Sequence, residues 1–209
     1  MISFIMEIEN LPFPDAVRLL AQRAAVEASI QEALDRLRLL DTTIERLRKD
    51  EKQMNYDVTI KTLPERQVAS VRQILPCYDR EGDLWHIFVR ETALLHIQDG
   101  DPALCISVYH DGEYKEADVD VEIQKTVKGT YPDTEHVKFK TIPPVTVASA
   151  TFQGPYRQIG EVNQAVASWV EDNGYAFDGL FFNIYHVSPH ETRNPEEFVT
   201  EVCYPVRKR

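Results

Sequence analysis

A single carboxylate, Glu201, interrupts the apolar run FVTEVCYPV between residues 198 and 206. Because side chains alternate across a strand, Val202 and its alternate neighbours are expected to face the core, and Glu201 is expected to face the other way. A charge in such surroundings needs a partner, since burying an unpaired carboxylate is costly. The sequence is compatible with a cationic ligand or with a structural arginine. A carboxylate among aromatic rings would also have a raised pKa and could act as a general base.

Aromatic residues that could accompany this carboxylate occur at repeated places in the chain. The pair Tyr109-His110 recurs as Tyr185-His186, one strand away from Glu201. Aromatic faces attract cations by about 0.5–2 kcal/mol each, although core packing would equally account for any single ring. The predicted ligand-binding set therefore combines the carboxylate with five rings: Glu201, Tyr185, Tyr109, Trp85, Tyr156 and Phe181.

Other chemistry-bearing motifs are weak. His186 and His190 are spaced like a metal-binding pair, but Pro189 prevents the helix that would bring both imidazoles to one face. The three cysteines are far apart and form no CxxC motif, which predicts buried free thiols: Cys77, Cys105 and Cys203. The sequence contains no GxGxxG, P-loop or GxSxG motif, so we predict no metal and no cofactor.

The elements that must position these residues occur twice. VTIKTLPERQVAS at 58–70 and VKFKTIPPVTVAS at 137–149 are identical at seven of thirteen positions. Each copy is followed by a helical pattern and two alternating segments. We predict an α+β fold in which tandem strand–helix–strand–strand halves, about 57–127 and 136–207, form one antiparallel sheet with two helices. The first strands are expected to pair or cross near the axis, ADVDVEI aligns with TEVCYPV so that Asp118 lies opposite Glu201, and a ligand cleft lies between the halves.

The first 55 residues predict a helical arm, and residues 56–209 a separate domain. Apolar residues alternate in steps of four and three, which predicts a heptad helix over about 26–54: Val26, Ile30, Ala33, Leu37, Leu40, Ile44, Leu47 and Met54. A stripe of this length needs a partner. We expect a coiled-coil homodimer, with a helix folded back on its own domain as the alternative.

Charge and hydropathy narrow the class of protein. The formal net charge is −11, and residues 56–209 hold 15 basic and 24 acidic side chains. Such a surface repels phosphate backbones and favours cations, so no direct nucleic-acid binding is expected. No apolar run approaches the ~20 residues of a membrane span, and no signal peptide is recognisable, which predicts a cytoplasmic protein without membrane contact.

The order of motifs resembles a known family. The duplicated unit, FQGPY before the second helix, WVEDNGY at its end and the closing TEVCYPV resemble the GyrI-like domain over about residues 56–207. That domain is also the effector-binding domain of AraC- and MerR-type transcription regulators. The heptad helix resembles the dimerisation helix of MerR-type activators, in which it follows a winged helix–turn–helix domain. Only about 25 residues precede the heptads here. The chain is therefore expected to be either truncated or a sensor without a DNA-binding head.

The resemblance implies a function. GyrI-like pockets are implied to be aromatic-walled with acidic residues inside, which favours Glu201 as a ligand carboxylate and a lipophilic, cationic small molecule as ligand. The expected role is effector or multidrug sensing in transcription regulation. Two alternatives stay open. Some members are hydrolases of electrophilic natural products, which would use Glu201 with Tyr185 or Tyr109. Others are protein-binding inhibitors in the manner of gyrase inhibitors.

Overall fold

The structure is a computed structural model that describes residues 12–51, 56–112 and 114–209. The chain divides into two compact units, residues 1–54 and residues 55–209. The first unit is a helical arm, and the second holds every strand among the described residues.

The arm is a single helix, α1 (Phe13–Glu51), of 39 residues, about 58 Å long at 1.5 Å per residue. It begins well before the predicted start at residue 26, because Pro14 is tolerated in a first helical turn and Asp15 is favourable there. The described part of the apolar stripe is exposed, as at Val26 and Leu37, which are 58% and 56% accessible. The side chains of Ile44 and Leu47, and all of Met54, lie outside the described residues. In the part of the chain described, no helix is both long and apolar enough to cross a membrane.

The second unit is one curled antiparallel sheet with two longer helices. Its strands are β1 (Thr59–Leu63), β2 (Arg66–Leu75), β3 (Gln98–Asp99), β4 (Cys105–Tyr109), β5 (Val119–Lys128), β6 (Lys138–Ile142), β7 (Val145–Gln153), β8 (Tyr175–Phe177), β9 (Phe182–Val187) and β10 (Val199–Lys208). Its helices are α2 (Glu81–Thr92) and α3 (Ile159–Asp172), each preceded by a short 3-10 turn (Tyr78–Arg80 and Tyr156–Gln158). The sheet order is β1-β7-β10-β9-β4-β5-β2-β6, with β3 on β5 and β8 on β10. The predicted α+β class with an antiparallel sheet is confirmed.

Both helices pack on the same face of the sheet, and the alternation of the strands explains why. In β5, Val121 and Ile123 are fully buried in the cluster that contains Leu84 and Phe88 of α2. In β10, Val202 packs in the matching cluster with three valines of α3: Val162, Val166 and Val170. The predicted orientation of Val202 toward the core is confirmed, and the residues between these positions face the helix-free side.

The two halves meet at β4 and β9, which pair at the centre of the sheet with Ser107 opposite Asn183. The first strand of each half is exchanged: β1 pairs with β7, and β6 pairs with β2. The prediction that these strands meet near the axis is therefore wrong, because they form the two outer edges. The chain crosses to the other half directly after each of these strands, at Pro64 after β1 and at Pro143-Pro144 after β6.

The register of the repeat also differs from the prediction. Glu122 pairs with Arg72 across β5 and β2, and Glu201 pairs with Thr151 across β10 and β7. Both residues of the second pair lie 79 positions after those of the first, the same spacing as the duplicated segments. The residue equivalent to Glu201 is therefore Glu122, and the prediction of Asp118 is wrong.

Candidate ligand-binding site

The most unusual group on the helix side of the sheet is the carboxylate of Glu81. As the first residue of α2, it precedes Leu84 and Phe88 by three and seven positions, so it lies on the buried face of the helix. It accepts four side-chain hydrogen bonds: Oε1 from Ser107 Oγ at 2.6 Å and Trp85 Nε1 at 3.3 Å, and Oε2 from the hydroxyls of Tyr109 at 3.3 Å and Tyr185 at 3.2 Å.

These contacts give the site unusual electrostatics. Burial raises the pKa of Glu81, and the hydrogen bonds, led by that from Ser107, offset this only in part. Burial, with the nearby Glu81 charge, also raises the pKa of Tyr109 and Tyr185, so both hydroxyls stay protonated donors. Among the described residues, no cationic side chain pairs with Glu81. The site therefore holds a carboxylate that neutral groups alone solvate.

Aromatic rings surround this carboxylate on both sides. On one side Phe181 stacks on Tyr109 with a centroid distance of 4.9 Å and an interplanar angle of 19°, and Tyr78 meets the edge of Tyr109 at 5.7 Å. On the other side Tyr156 packs against Tyr185 at 5.4 Å. Rings at these separations are in direct contact and present polarisable faces.

The structure therefore brings together the five rings that were predicted from the sequence. Trp85, Tyr109 and Tyr185 touch Glu81 directly. Phe181 and Tyr156 reach it through the tyrosines on which they pack. Ligand contact by these rings stays a prediction, while their common environment is a structural fact.

The site is asymmetric although the fold is nearly twofold. The position of α3 that matches Glu81 is its first residue, Ile159, which packs against the apolar core. Opposite Ser107 stands Asn183, whose Nδ2 donates to the Tyr109 hydroxyl at 3.3 Å. The Asn183 Oδ1 atom is buried without a hydrogen-bond partner among the described residues. One carboxylate and one unsatisfied acceptor thus stand at the centre of the sheet's helix side.

Glu201 lies on the opposite, helix-free face of the sheet, so it is not part of this cluster. Its side chain is buried and binds Lys61 Nζ at 2.5 Å and His186 Nε2 at 3.0 Å. Burial alone raises the pKa of Glu201, but the hydrogen bonds from His186 and Lys61 outweigh it and hold the pKa at about 2. The partner foreseen as a structural arginine is thus a lysine with a histidine. Ligand contact by Glu201 stays a prediction that mutation can test.

The same arrangement occurs in the first half. Glu122 binds Lys140 Nζ at 2.5 Å and His110 Nε2 at 2.9 Å. Burial raises the pKa of Glu122, but the bond from Lys140 dominates and leaves it below the usual range. Because Lys61 belongs to β1 and Lys140 to β6, each ion pair fastens an exchanged edge strand to a central strand of the other half.

Sequence reasoning missed Glu81 because acidic residues are common in first helical turns, where the helix dipole favours them. The signal was nonetheless present. Glu81 falls on the apolar stripe of its own helix, four positions before Trp85 and seven before Phe88. A carboxylate on a stripe that otherwise faces a core marks a buried charge.

One group of potential metal ligands comes together among the described residues, with ligand atoms within 4.8 Å of one another: Glu91, Glu135 and His136. The Glu91 carboxylate already accepts bonds from Thr134 Oγ1 at 2.5 Å and from His136 Nδ1 at 2.6 Å. These hydrogen bonds hold the loop that precedes β6 against α2. Of the candidate pair His186 and His190, His186 binds Glu201. All three cysteines are free thiols. Cys203 is buried as predicted, whereas Cys77 and Cys105 are only partly buried.

Comparison with known proteins gives one family. Residues 56–207 match the family described as the GyrI-like small molecule binding domain. The C-terminal domain of EcmrR is 30% identical with a TM-score of 0.71, over 75% of this chain and 100% of that one. EcmrR in a complex with DNA is 26% identical with a TM-score of 0.72, over 100% of this chain and 77% of that one. A search of the curated proteins found no match.

More distant structures share the fold alone. A hydrolase from Listeria innocua is 16% identical with a TM-score of 0.52, over 76% of this chain and 98% of that one. SAV2435, solved with tetraphenylphosphonium bound, is 13% identical with a TM-score of 0.50, over 72% of this chain and 94% of that one.

The buried ion pair on the helix-free face predicts a pH-dependent loss of stability. We expect Glu201→Gln to lower the free energy of unfolding at pH 7 by on the order of 3 kcal/mol, because a folded pKa of about 2 against an ordinary value of 4.5 stabilises the ionised form. This contribution is present above pH 4.5 and is lost as the pH falls toward 2. Urea unfolding at several pH values measures it.

The control for this prediction is Glu196→Gln, since the Glu196 side chain is 66% exposed and pairs loosely with Arg157. It should change the free energy of unfolding by less than about 0.5 kcal/mol. Equal stability of wild type and Glu201→Gln at pH 7 would contradict the role assigned to the Lys61–Glu201 pair.

Proposed function

Because the chain belongs to the GyrI-like family of small-molecule-binding domains, we propose that it binds a bulky, apolar cation against Glu81, between the segments that lead into α2 and α3. The observation that carries the proposal is the Glu81 carboxylate, which receives four hydrogen bonds from neutral donors and has no cationic partner among the described residues.

The expected charge of the ligand follows from the free-energy cost of ionising the Glu81 carboxyl group where it lies. Burial raises the pKa of Glu81, so its ionised form is less stable here than in water. A bound cation would offset this cost through a direct charge interaction in surroundings of low polarity. The two tyrosine hydroxyls and Ser107 would hold the carboxylate in place, since they donate to it already.

The apolar character of the ligand follows from the rings. Tyr78, Tyr109 and Phe181 form one wall, and Tyr156 with Tyr185 forms the other. Aromatic faces bind a poorly hydrated organic cation better than a small hydrated ion, which keeps its water shell. The fold relative SAV2435 binds tetraphenylphosphonium, which makes that cation the natural probe.

The test is a calorimetric titration of tetraphenylphosphonium into the wild type and three variants. We expect Glu81→Gln to weaken binding by about 10-fold or more, equivalent to about 1.4 kcal/mol, because it removes the negative charge and keeps the shape. Glu201→Gln, on the other face, should keep the wild-type affinity at a temperature where circular dichroism shows it to be folded. Glu196→Gln is the control whose stability is expected to be unchanged.

The outcomes separate the two carboxylates. If Glu201→Gln loses binding and Glu81→Gln keeps it, the ligand binds at Glu201, as the sequence analysis predicted, and the Glu81 proposal is wrong. The affinity should also rise with pH up to the raised pKa of Glu81 and then level off, since protonation of Glu81 competes with the cation. An affinity independent of pH between 4 and 9 would contradict a role for the Glu81 charge.

A second candidate function rests on the same carboxylate. A carboxylate with a raised pKa is suited to take a proton from water, and the Tyr109 and Tyr185 hydroxyls could polarise an electrophile beside it. Hydroxide from that water would then add to a ring carbon of an epoxide as the carbon–oxygen bond of that carbon breaks. The oxygen released as an alkoxide would take the proton held on Glu81, which gives the diol and restores the carboxylate. In this reading Glu81 takes the place that the sequence suggested for Glu201.

Turnover decides between sensing and hydrolysis. A hydrolase would open a small epoxide such as styrene oxide with repeated turnover, and Glu81→Gln would abolish it at unchanged fold, as followed by chromatography of the diol. Tight tetraphenylphosphonium binding with no diol above the Glu81→Gln background would reject the hydrolase.

We also propose that the arm forms a homodimer. The apolar stripe of α1 is unpartnered in one protomer, with Ile30, Leu37 and Leu40 each more than half exposed. Heptad spacing is the pattern of a coiled coil. The whole chain aligns with EcmrR in its complex with DNA. This likeness supports a role in transcription regulation, in which the binding of a small molecule changes the activity of a regulator.

The oligomeric state tests the arm. Ile30→Glu together with Leu37→Glu should convert a dimer to a monomer in sedimentation equilibrium, because charges replace both central positions of the stripe. Ala28→Glu, on the opposite side of the heptad, should leave the mass unchanged. A monomeric wild type at tens of micromolar would overturn the proposal.

A further inference from the structure

A second concave surface lies on the face of the sheet that carries no helix. It is an open groove of about 790 Å³, within the size range of drug-sized ligand sites. Its apolar lining includes Ile60, Val108, Ile142 and Phe182. Val108 pairs with Phe182 and with Glu122, which places the groove on the face opposite to Glu81.

The groove contains the half-buried side chain of Arg66, which forms no ion pair with any described residue. The Nε and Nη1 atoms of Arg66 are buried and make no hydrogen bond within the described residues. The guanidinium carbon lies 6.0 Å from the centroid of the Phe182 ring. The Oε1 atom of Gln124, which also lines the groove, is buried and unbonded too. Buried donors of a charged group are expensive to leave unpaired, so a site that retains them points to a ligand that pairs with them.

The charge of the groove runs against that of the domain around it. Residues 56–209 hold 15 basic and 24 acidic side chains. Among the described residues, the charged groups that line the groove are instead mainly basic: Arg66, Arg207 and Lys208 are cations, and Asp178 is the one carboxylate. Asp178 lies 3.5 Å from Arg207, so the carboxylate in the groove is already paired with another arginine. A positive groove on an acidic protein selects anions.

We propose that this groove binds a small molecule that carries a carboxylate on an apolar, aromatic-sized body. Arg66 pairs with the carboxylate, because a guanidinium offers several N–H donors in a fixed plane that matches a carboxylate. The body of the ligand lies against Phe182 and the isoleucines at the edge strands. This site is separate from the Glu81 site and takes a ligand of opposite charge.

The two faces of the sheet would then bind different ligands, and the Arg66 site would occur in only one half of the domain. The Arg66 site has no counterpart in the other half, because the residue 79 positions later is Val145. The repeat therefore gives each half the same ion pair but only one half an unpaired guanidinium.

The test compares two probes that differ only in the head group, 2-naphthoate and the neutral 2-naphthalenemethanol, by calorimetry on the full chain. We expect 2-naphthoate to bind at least about 10-fold more tightly than the alcohol, and Arg66→Gln to remove that preference. Arg207→Gln is the control, since its side chain lines the same groove, is 65% exposed and already pairs with Asp178. It should change the affinity by less than about 2-fold.

Two further measurements keep the outcome decisive. Arg66→Gln should unfold at the wild-type temperature or above it, because it removes an unpaired, half-buried charge, and it should still bind tetraphenylphosphonium. Glu81→Gln should still bind 2-naphthoate. Equal affinity for both probes, or 2-naphthoate binding that survives Arg66→Gln and is lost in Glu81→Gln, would overturn the proposal. If Arg66→Gln does not fold, Arg66→Lys is measured in its place. A preference of Arg66→Lys for 2-naphthoate over the alcohol as large as that of the wild type would show that the guanidinium N–H donors do not bind the carboxylate.

Discussion

The antiparallel pairing of β4 with β9 is the contact on which the rest of the domain depends. It joins the two halves at the centre of the sheet and sets Ser107 opposite Asn183. From this one register the Tyr109 and Tyr185 hydroxyls both come to the same carboxylate, 3.3 Å and 3.2 Å away. The alternation of side chains along the same strands sends Val108 and Phe182 to the opposite face, where the basic groove lies. Two surfaces of opposite chemistry thus share one backbone.

Much of the fold could be predicted from the sequence, and the errors have a common cause. The duplicated segments gave the order of elements, and the alternation in β5 and β10 gave the buried face of each strand. A period-two pattern is unchanged when it is shifted by four residues, so it could not decide whether Asp118 or Glu122 matches Glu201. Nor does alternation state which strands are neighbours. The exchange of β1 and β6 depends on the path taken after Pro64 and Pro143, which no local pattern encodes.

The candidate site was predicted in part. The rings were found because Tyr109 and Tyr185 are repeated and Trp85 and Tyr156 lie near helix starts. The carboxylate chosen with them, Glu201, faces away, as its own alternation with Val202 had indicated. The structure instead places Glu81 among the rings, since a helix crossing the sheet carries its first residue over the central strands. That crossing is a tertiary relationship, and sequence spacing within α2 shows only that Glu81 is on a buried stripe.

The exchange of edge strands has a consequence for how the chain folds during synthesis. Strand β1, which forms the outer edge of the second half, is synthesised first. Its residue Thr59 pairs with Ser149, which is synthesised ninety residues later. The first half in turn lacks its outer edge until β6 has emerged. Neither half can close its sheet alone, so the domain folds as one cooperative body with many distant contacts, which makes folding slow. A ribosome that stalled before β7 would leave β1 as an open edge, and its lysine in the middle guards that edge against pairing with another chain.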